Sequence, residues 1–149
     1  MPTTKNTEKK IIGREEWCSF PQLHIPAINA RVDSGAKTSS IQASEVEIIE
    51  KKGEKWARFT VVPLEDNIEN KIICEAKLVG QKMIKSSSGI AEERYIIQAE
   101  LTLGEDTFEI ELSLANRNTM KFKMLLGRQA MSGRYLINPG KTHLQRRDI

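Results

Sequence analysis

Apolar and polar residues alternate with the two-residue period of half-buried strands along much of this chain, and only once with a helical period. Ile28, Ala30 and Val32 alternate with Asn29 and Arg31, and the strand they predict runs directly into Asp33-Ser34-Gly35. Val46 and Ile48 before Lys51-Lys52-Gly53-Glu54, with Trp56, Phe59, Val61 and Val62 after it, predict a hairpin turned at Gly53 and ended by Pro63. Residues 71–84 form a third strand region with a break expected at Gly80, and Ser86-Ser87-Ser88-Gly89 reads as a loop. Tyr95-Ile96-Ile97 and Leu101-Thr102-Leu103 lead through Gly104-Glu105-Asp106 to Phe108, Ile110, Leu112 and Leu114, the clearest hairpin of the sequence. Gly127 to Ser132 alone reads as helical, and Tyr135-Leu136-Ile137 predicts a last strand. Short strands separated by turn signals imply an all-β barrel or sandwich.

A length of 149 residues suits one hydrophobic core. Residues 1–10 are polar and are expected to be a disordered tail, with residues 11–149 forming a single domain. No run of eighteen apolar residues occurs and the N-terminus lacks the apolar stretch of a signal peptide, so a cytoplasmic protein without membrane contact is expected. Cys18 and Cys74 have neither metal-site nor redox spacing and are expected to pack as small apolar thiols. The net charge of +3 is spread along the chain and aromatics make up 5%, so neither a basic stripe nor a stacking platform for nucleic acid is present.

Most chemical motifs are missing. There is no G-x-x-x-x-G-K-[ST] phosphate loop and no H-E-x-x-H, and His24 and His143 are the only histidines, too few and too far apart in sequence for an ordinary zinc site. Neither has a G-x-S-x-G partner for Ser–His catalysis. What remains is a pair of segments, Ala30-Arg31-Val32-Asp33-Ser34-Gly35-Ala36 and Met124-Leu125-Leu126-Gly127-Arg128-Gln129-Ala130-Met131, each an apolar strand running into a glycine turn. Alone, an Asp-Ser-Gly triplet signifies no more than an Asx turn. In this order, with several strands between them, the two segments resemble those of the retropepsins, the retroviral-type aspartic proteases. The resemblance implies a closed β-barrel with one short helix opening near Arg128.

A longer resemblance runs from about Ile12 to Leu144. Gly13-Arg14-Glu15-Glu16-Trp17, Ile25-Pro26, the stretch from Arg31 to Ser40, Arg58-Phe59-Thr60-Val61, Ala91-Glu92-Glu93-Arg94-Tyr95 and Asn138-Pro139-Gly140-Lys141 are similar to the bacterial family labelled ATP-dependent zinc proteases. Its members are often encoded beside an ATP-grasp enzyme that adds glutamate to a ribosomal protein. The label's ATP and zinc have no motif here, and Ile90 stands where many members carry a histidine. No cofactor and no metal ligand is therefore expected.

The resemblance implies a peptidase in which Asp33, Ser34 and Gly35 are catalytic. Two carboxylates must share a proton, and no second Asp-Thr/Ser-Gly occurs, so the pair would be completed by Asp33 of a second protomer in a homodimer. Ala36, Lys37, Thr38, Gly89, Arg94 and Arg128 would line the substrate groove, with residues 86–95 lying where a retropepsin flap lies. Glu92 and Glu93 read as solvated charges. Lys37 stands where the retroviral enzymes carry an acid that pairs with the arginine at Arg128. Two cations would then meet and call for an anion, either an internal carboxylate or an acidic peptide, and Arg31 and Arg94 could add to such a subsite. The alternative is a non-catalytic module that binds acidic peptides or a glutamate-ligase partner in the same groove.

Overall fold

The computed structural model describes residues 9–64, 70–85, 89–115 and 121–145. Its strands are β1 (Lys10–Ile12), β2 (Glu15–Phe20), β3 (Ile25–Val32), β4 (Ser39–Gln42), β5 (Ser44–Lys51) and β6 (Glu54–Val61). They continue with β7 (Ile72–Lys85), β8 (Ala91–Leu103), β9 (Asp106–Ala115), β10 (Met124–Leu126) and β11 (Tyr135–Ile137), and one short helix, α1, spans Arg128–Met131. Turn chemistry explains the two sharpest hairpins. Lys52 and Gly53 both adopt left-handed φ values, 54° and 76°, between β5 and β6. Gly104, at φ 63°, turns β8 into β9 after only two loop residues.

Nine strands form one sheet in the order β2-β3-β10-β4-β9-β8-β7-β6-β5, and Ser19 of β2 also pairs with Thr102 of β8. That last pairing closes β2, β3, β10, β4, β9 and β8 into a six-stranded barrel, as the retropepsin resemblance implied. Closure covers the edge that β2 would otherwise expose. Alternate residues of the barrel strands, among them Ala30, Ile41, Ile97, Leu112, Leu114 and Met124, point inward and form the core with Phe20, Phe59 and Leu101. Strands β7, β6 and β5 continue outward from β8 as an antiparallel extension.

Several expectations change in detail. Gly80 does not break its strand: β7 runs through it, and the register merely shifts between Leu78 and Gly80, so the residue serves a bulge. Residues 91–95, placed in the flap segment from sequence, are the start of a continuous β8, while Ser86-Ser87-Ser88 lie outside the described residues. Lys10, placed in the polar tail, pairs with Tyr135 in a small parallel sheet of β1 and β11; residues 1–8 lie outside the described part.

Behind that small sheet, the residues after β11 fold back over the start of the barrel. Gly13 has no room for a side chain, since a Cβ there would stand 2.3 Å from the Lys141 carbonyl oxygen. The fully buried Glu16 carboxylate accepts the backbone N–H groups of Gly13 (2.7 Å), Leu144 (2.9 Å) and Gln145 (3.0 Å).

Candidate active site

Asp33 follows the last residue of β3, and its backbone N–H donates to the Leu126 carbonyl at the end of β10 (2.9 Å), because β3 and β10 run parallel with Val32 opposite Leu126. The two glycine-bearing segments singled out by sequence are thereby joined. The Arg128 N–H donates to the Ala36 carbonyl (2.8 Å), the Gln129 N–H to that of Lys37 (3.0 Å), and the Gly127 N–H to the buried Ser39 hydroxyl (2.9 Å). The Asp33 carboxylate is half-buried, and its Oδ1 accepts the Gly35 N–H at 2.9 Å in an Asx turn. Ser34 and Gly35 are exposed, and the Ser34 carbonyl accepts from Arg128 Nη1 at 3.0 Å. The Asp33 backbone is thus tied to β10, and its carboxylate is oriented by the Gly35 N–H.

Asp33 opens into a cleft of about 550 Å³, which Gly35, Ala36 and Thr38 line beside it. The floor follows from strand register. Arg31 is paired with Leu125, Leu125 with Ser40, Ser40 with Ser113, and Ser113 with Ile96. Direct cross-strand partners project to the same side of a sheet, and the residues one step away face the core, so this row lies on the outer face of the barrel wall. Arg94, two residues from Ile96 along β8, belongs to the same side and also lines the cleft. Ile84 and Lys85 from the end of β7, with Lys121 and Phe122, complete the lining.

Of the groove residues expected from sequence, Ala36, Thr38 and Arg94 are brought together with Asp33. Lys37 and Arg128 are not among the cleft-lining residues: both are exposed, and the Arg128 guanidinium is engaged with the Ser34 carbonyl. Gly89 is exposed at φ 87° near the turn between β7 and β8 and is not part of the lining. Arg31, named from sequence with Arg94 as an addition to an acidic subsite, lines the cleft, and Lys85, Lys121 and Ser113, which line it too, were not singled out by sequence. Among the described residues that line the cleft, four are basic, Arg31, Lys85, Arg94 and Lys121, against the one acid Asp33.

Two polar atoms here have no hydrogen-bond partner among the described residues. Arg94 is 7% exposed and its Nε donates to Glu92 Oε1 at 2.7 Å, yet its Nη2 is buried with no hydrogen-bond partner. Ser113 is fully buried and its Oγ is likewise unpartnered. His24 is exposed at the end of a 3-10 turn, His143 Nε2 meets Asn29 Oδ1 at 2.9 Å while its ring stacks on Trp17, and among the described residues no three His, Cys, Asp or Glu side chains gather as metal ligands. Among the described residues, no helix is long and apolar enough to cross a membrane.

Comparison with known proteins fits this geometry. A family model described as retropepsin-like aspartic endopeptidase RimB matches residues 11–148. A protein named "Probable alpha-L-glutamate ligase" from Desulfotalea psychrophila is 48% identical over 136 residues, covering 91% of this chain and 29% of that protein. Its namesake from Shewanella pealeana is 47% identical over 134 residues, again with 29% of its length covered. The chain therefore spans under a third of these relatives. The crystal structure of a DUF785 protein of unknown function from Legionella pneumophila superposes with a TM-score of 0.78 at 26% identity, covering 93% of this chain and 100% of that one.

Proposed function

Because the chain belongs to the RimB-like family of retropepsin-like aspartic endopeptidases, we propose that it hydrolyses peptide bonds with two Asp33 carboxylates, one from each protomer of a homodimer, and that its substrates are acidic. The observation that carries this reading is the position of Asp33, half-buried in a cleft and tied by backbone to the Gly127 segment. One such carboxylate per chain requires a second from a partner, and Gly35, with no Cβ, leaves room for the opposing loop.

In the pair, like charges a few ångströms apart cannot both ionise, so one proton is shared. The ionised Asp33 accepts a proton from a water lying between the two carboxylates, while the protonated one donates its proton to the scissile carbonyl oxygen. The water oxygen bonds to the carbonyl carbon and gives a tetrahedral diol. Proton transfer to the nitrogen then accompanies C–N cleavage, leaving an acid, an amine and the pair with its single proton. Ser34 is suited to a hydrogen bond across the pair that keeps the carboxylates coplanar.

The acidic preference is supported by the basic walls of the cleft, Arg31, Lys85, Arg94 and Lys121, and it accords with the glutamate-ligase name of the relatives. Peptides carrying runs of glutamate should be cut by the wild type in preference to neutral controls, and not by Asp33→Asn, as read by mass spectrometry. Intact peptides with a dimeric wild type, or equal cleavage by Asp33→Asn, would sink the reading.

A second reading is favoured by one observation. Relatives at nearly half identity carry this domain as 29% of a longer chain named for glutamate ligation. On that reading the domain holds the acidic peptide for a ligase and does not cut it, so it would bind glutamate-rich peptide without turnover.

A further inference from the structure

Arg94 presents one edge of its guanidinium, Nε and Nη2, in a half-used state. Glu92 Oε1 takes the Nε hydrogen at 2.7 Å, and Nη2 is left buried with no partner among the described residues. A guanidinium edge is built to hold both oxygens of one carboxylate in parallel, which is shorter and stronger than a single contact. Leaving a buried charged donor unpaired costs free energy, so native proteins seldom do so without a reason. On the same face of the barrel wall, Ser113 offers a fully buried hydroxyl that also has no partner among the described residues. Both residues line the cleft that holds Asp33. Glu92, by contrast, has a side chain 48% exposed and is easily moved.

We propose that Arg94 is the carboxylate-binding residue of this cleft, with Ser113 as its hydroxyl partner, and that Glu92 is an internal occupant which an incoming peptide carboxylate displaces. The incoming group takes Nε and Nη2 together, and Glu92 is released to solvent. This deepens the acidic-substrate reading given above and rests on it for the class of ligand, a peptide with side-chain carboxylates. It assigns the selectivity to Arg94, not to Lys37 and Arg128, which stand outside the cleft lining.

The test uses the full chain carrying Asp33→Asn, so that binding is read without cleavage. Fluorescent hexaglutamate and hexaglutamine peptides are titrated, with anisotropy as the readout. Hexaglutamate should bind at least about tenfold tighter, and Arg94→Gln should erase most of that difference. Arg94→Lys keeps the charge but loses the two-point edge, so it should also lose about tenfold. Ser113→Ala should cost about threefold, and Glu92→Gln, which removes the competitor's charge, should tighten hexaglutamate by about threefold while leaving hexaglutamine unchanged. Preference for hexaglutamate that survives in folded Arg94→Gln and Arg94→Lys overturns the assignment. Weaker or unchanged binding in Glu92→Gln overturns the displacement. Should Arg94→Gln fail to fold, Arg94→Lys and Glu92→Gln still decide. A wild type that cuts nothing defeats the peptidase reading and leaves these binding results standing.

Discussion

Gly127 sits so close to Thr38 that a Cβ on it would stand 2.8 Å from the Thr38 carbonyl carbon, with the Ala36 oxygen and the Ser39 nitrogen 3.0 Å away. All three are backbone atoms and cannot rotate aside. Gly127→Ala must therefore push apart the loops that hold Asp33, at a cost of about 2–3 kcal/mol. Urea denaturation should record the loss, and a change under about 0.5 kcal/mol would show that the loops are not locked as described.

Glu16 gives a second stability prediction. Its carboxylate is fully buried and satisfies three backbone N–H groups, two of them from Leu144 and Gln145. Removing the acceptor strands those donors, so Glu16→Ala should destabilise by about 3 kcal/mol and Glu16→Gln by somewhat less. Hydrogen exchange should quicken first at residues 141–145. If exchange there is unchanged in a folded variant, the clamp is not what pins this segment.

Alternation exposed most of the strands in the sequence, because their neighbours face core and solvent by turns. It failed at β2, where Cys18, Ser19 and Phe20 are buried in succession on the strand that closes the barrel. It failed again at β4, Ser39–Gln42, a mostly polar strand whose Ser39 hydroxyl accepts the Gly127 N–H. Asp33 and Gly127 were visible because each stands in a local word that needs its residues adjacent. The floor of the cleft was not, since Arg31, Leu125, Ser40 and Ser113 become neighbours only through pairing across four strands. Lys37 and Arg128, read from sequence as two cations calling for an anion, are exposed and outside the cleft lining, a direction that sequence position does not give.

The two thiols lie away from this site and should behave as core. Burial pushes the Cys74 thiol up to about 12 and Cys18 further still, with Glu16 adding to the shift at Cys18. Both folded-state values are raised above the unfolded one of about 8.5, so the stability they contribute is fully present below about pH 8.5 and lost as pH rises toward the folded values. Stability should show no thiol-linked change from pH 6 to 8. Above pH 9 each thiol should add about 1.4 kcal/mol per pH unit to the decline. A Cys18→Ala/Cys74→Ala variant should show a shallower decline in that window. Equal slopes, or alkylation of the folded wild type at pH 8, would contradict the burial argument.

The shared active site can be tested by dilution with a dead partner. If each functional unit takes one Asp33 from each protomer, a dimer of one wild-type and one Asp33→Asn chain has a single carboxylate able to lose or give a proton, and the water between the pair loses its acid or its base. Random exchange in an equimolar mixture then leaves about one quarter of the dimers with two aspartates. Activity per total protein should fall to about one quarter of the pure wild type at the same total concentration, following the square of the wild-type fraction. A monomer acting alone would instead fall to about one half, in proportion to that fraction. The two curves separate most clearly near equal mixing, and sedimentation at the assay concentration establishes that exchangeable dimers are present. A linear decline, or full activity in a chain that sediments as a monomer, would remove the two-protomer site and with it the peptidase mechanism built on Asp33.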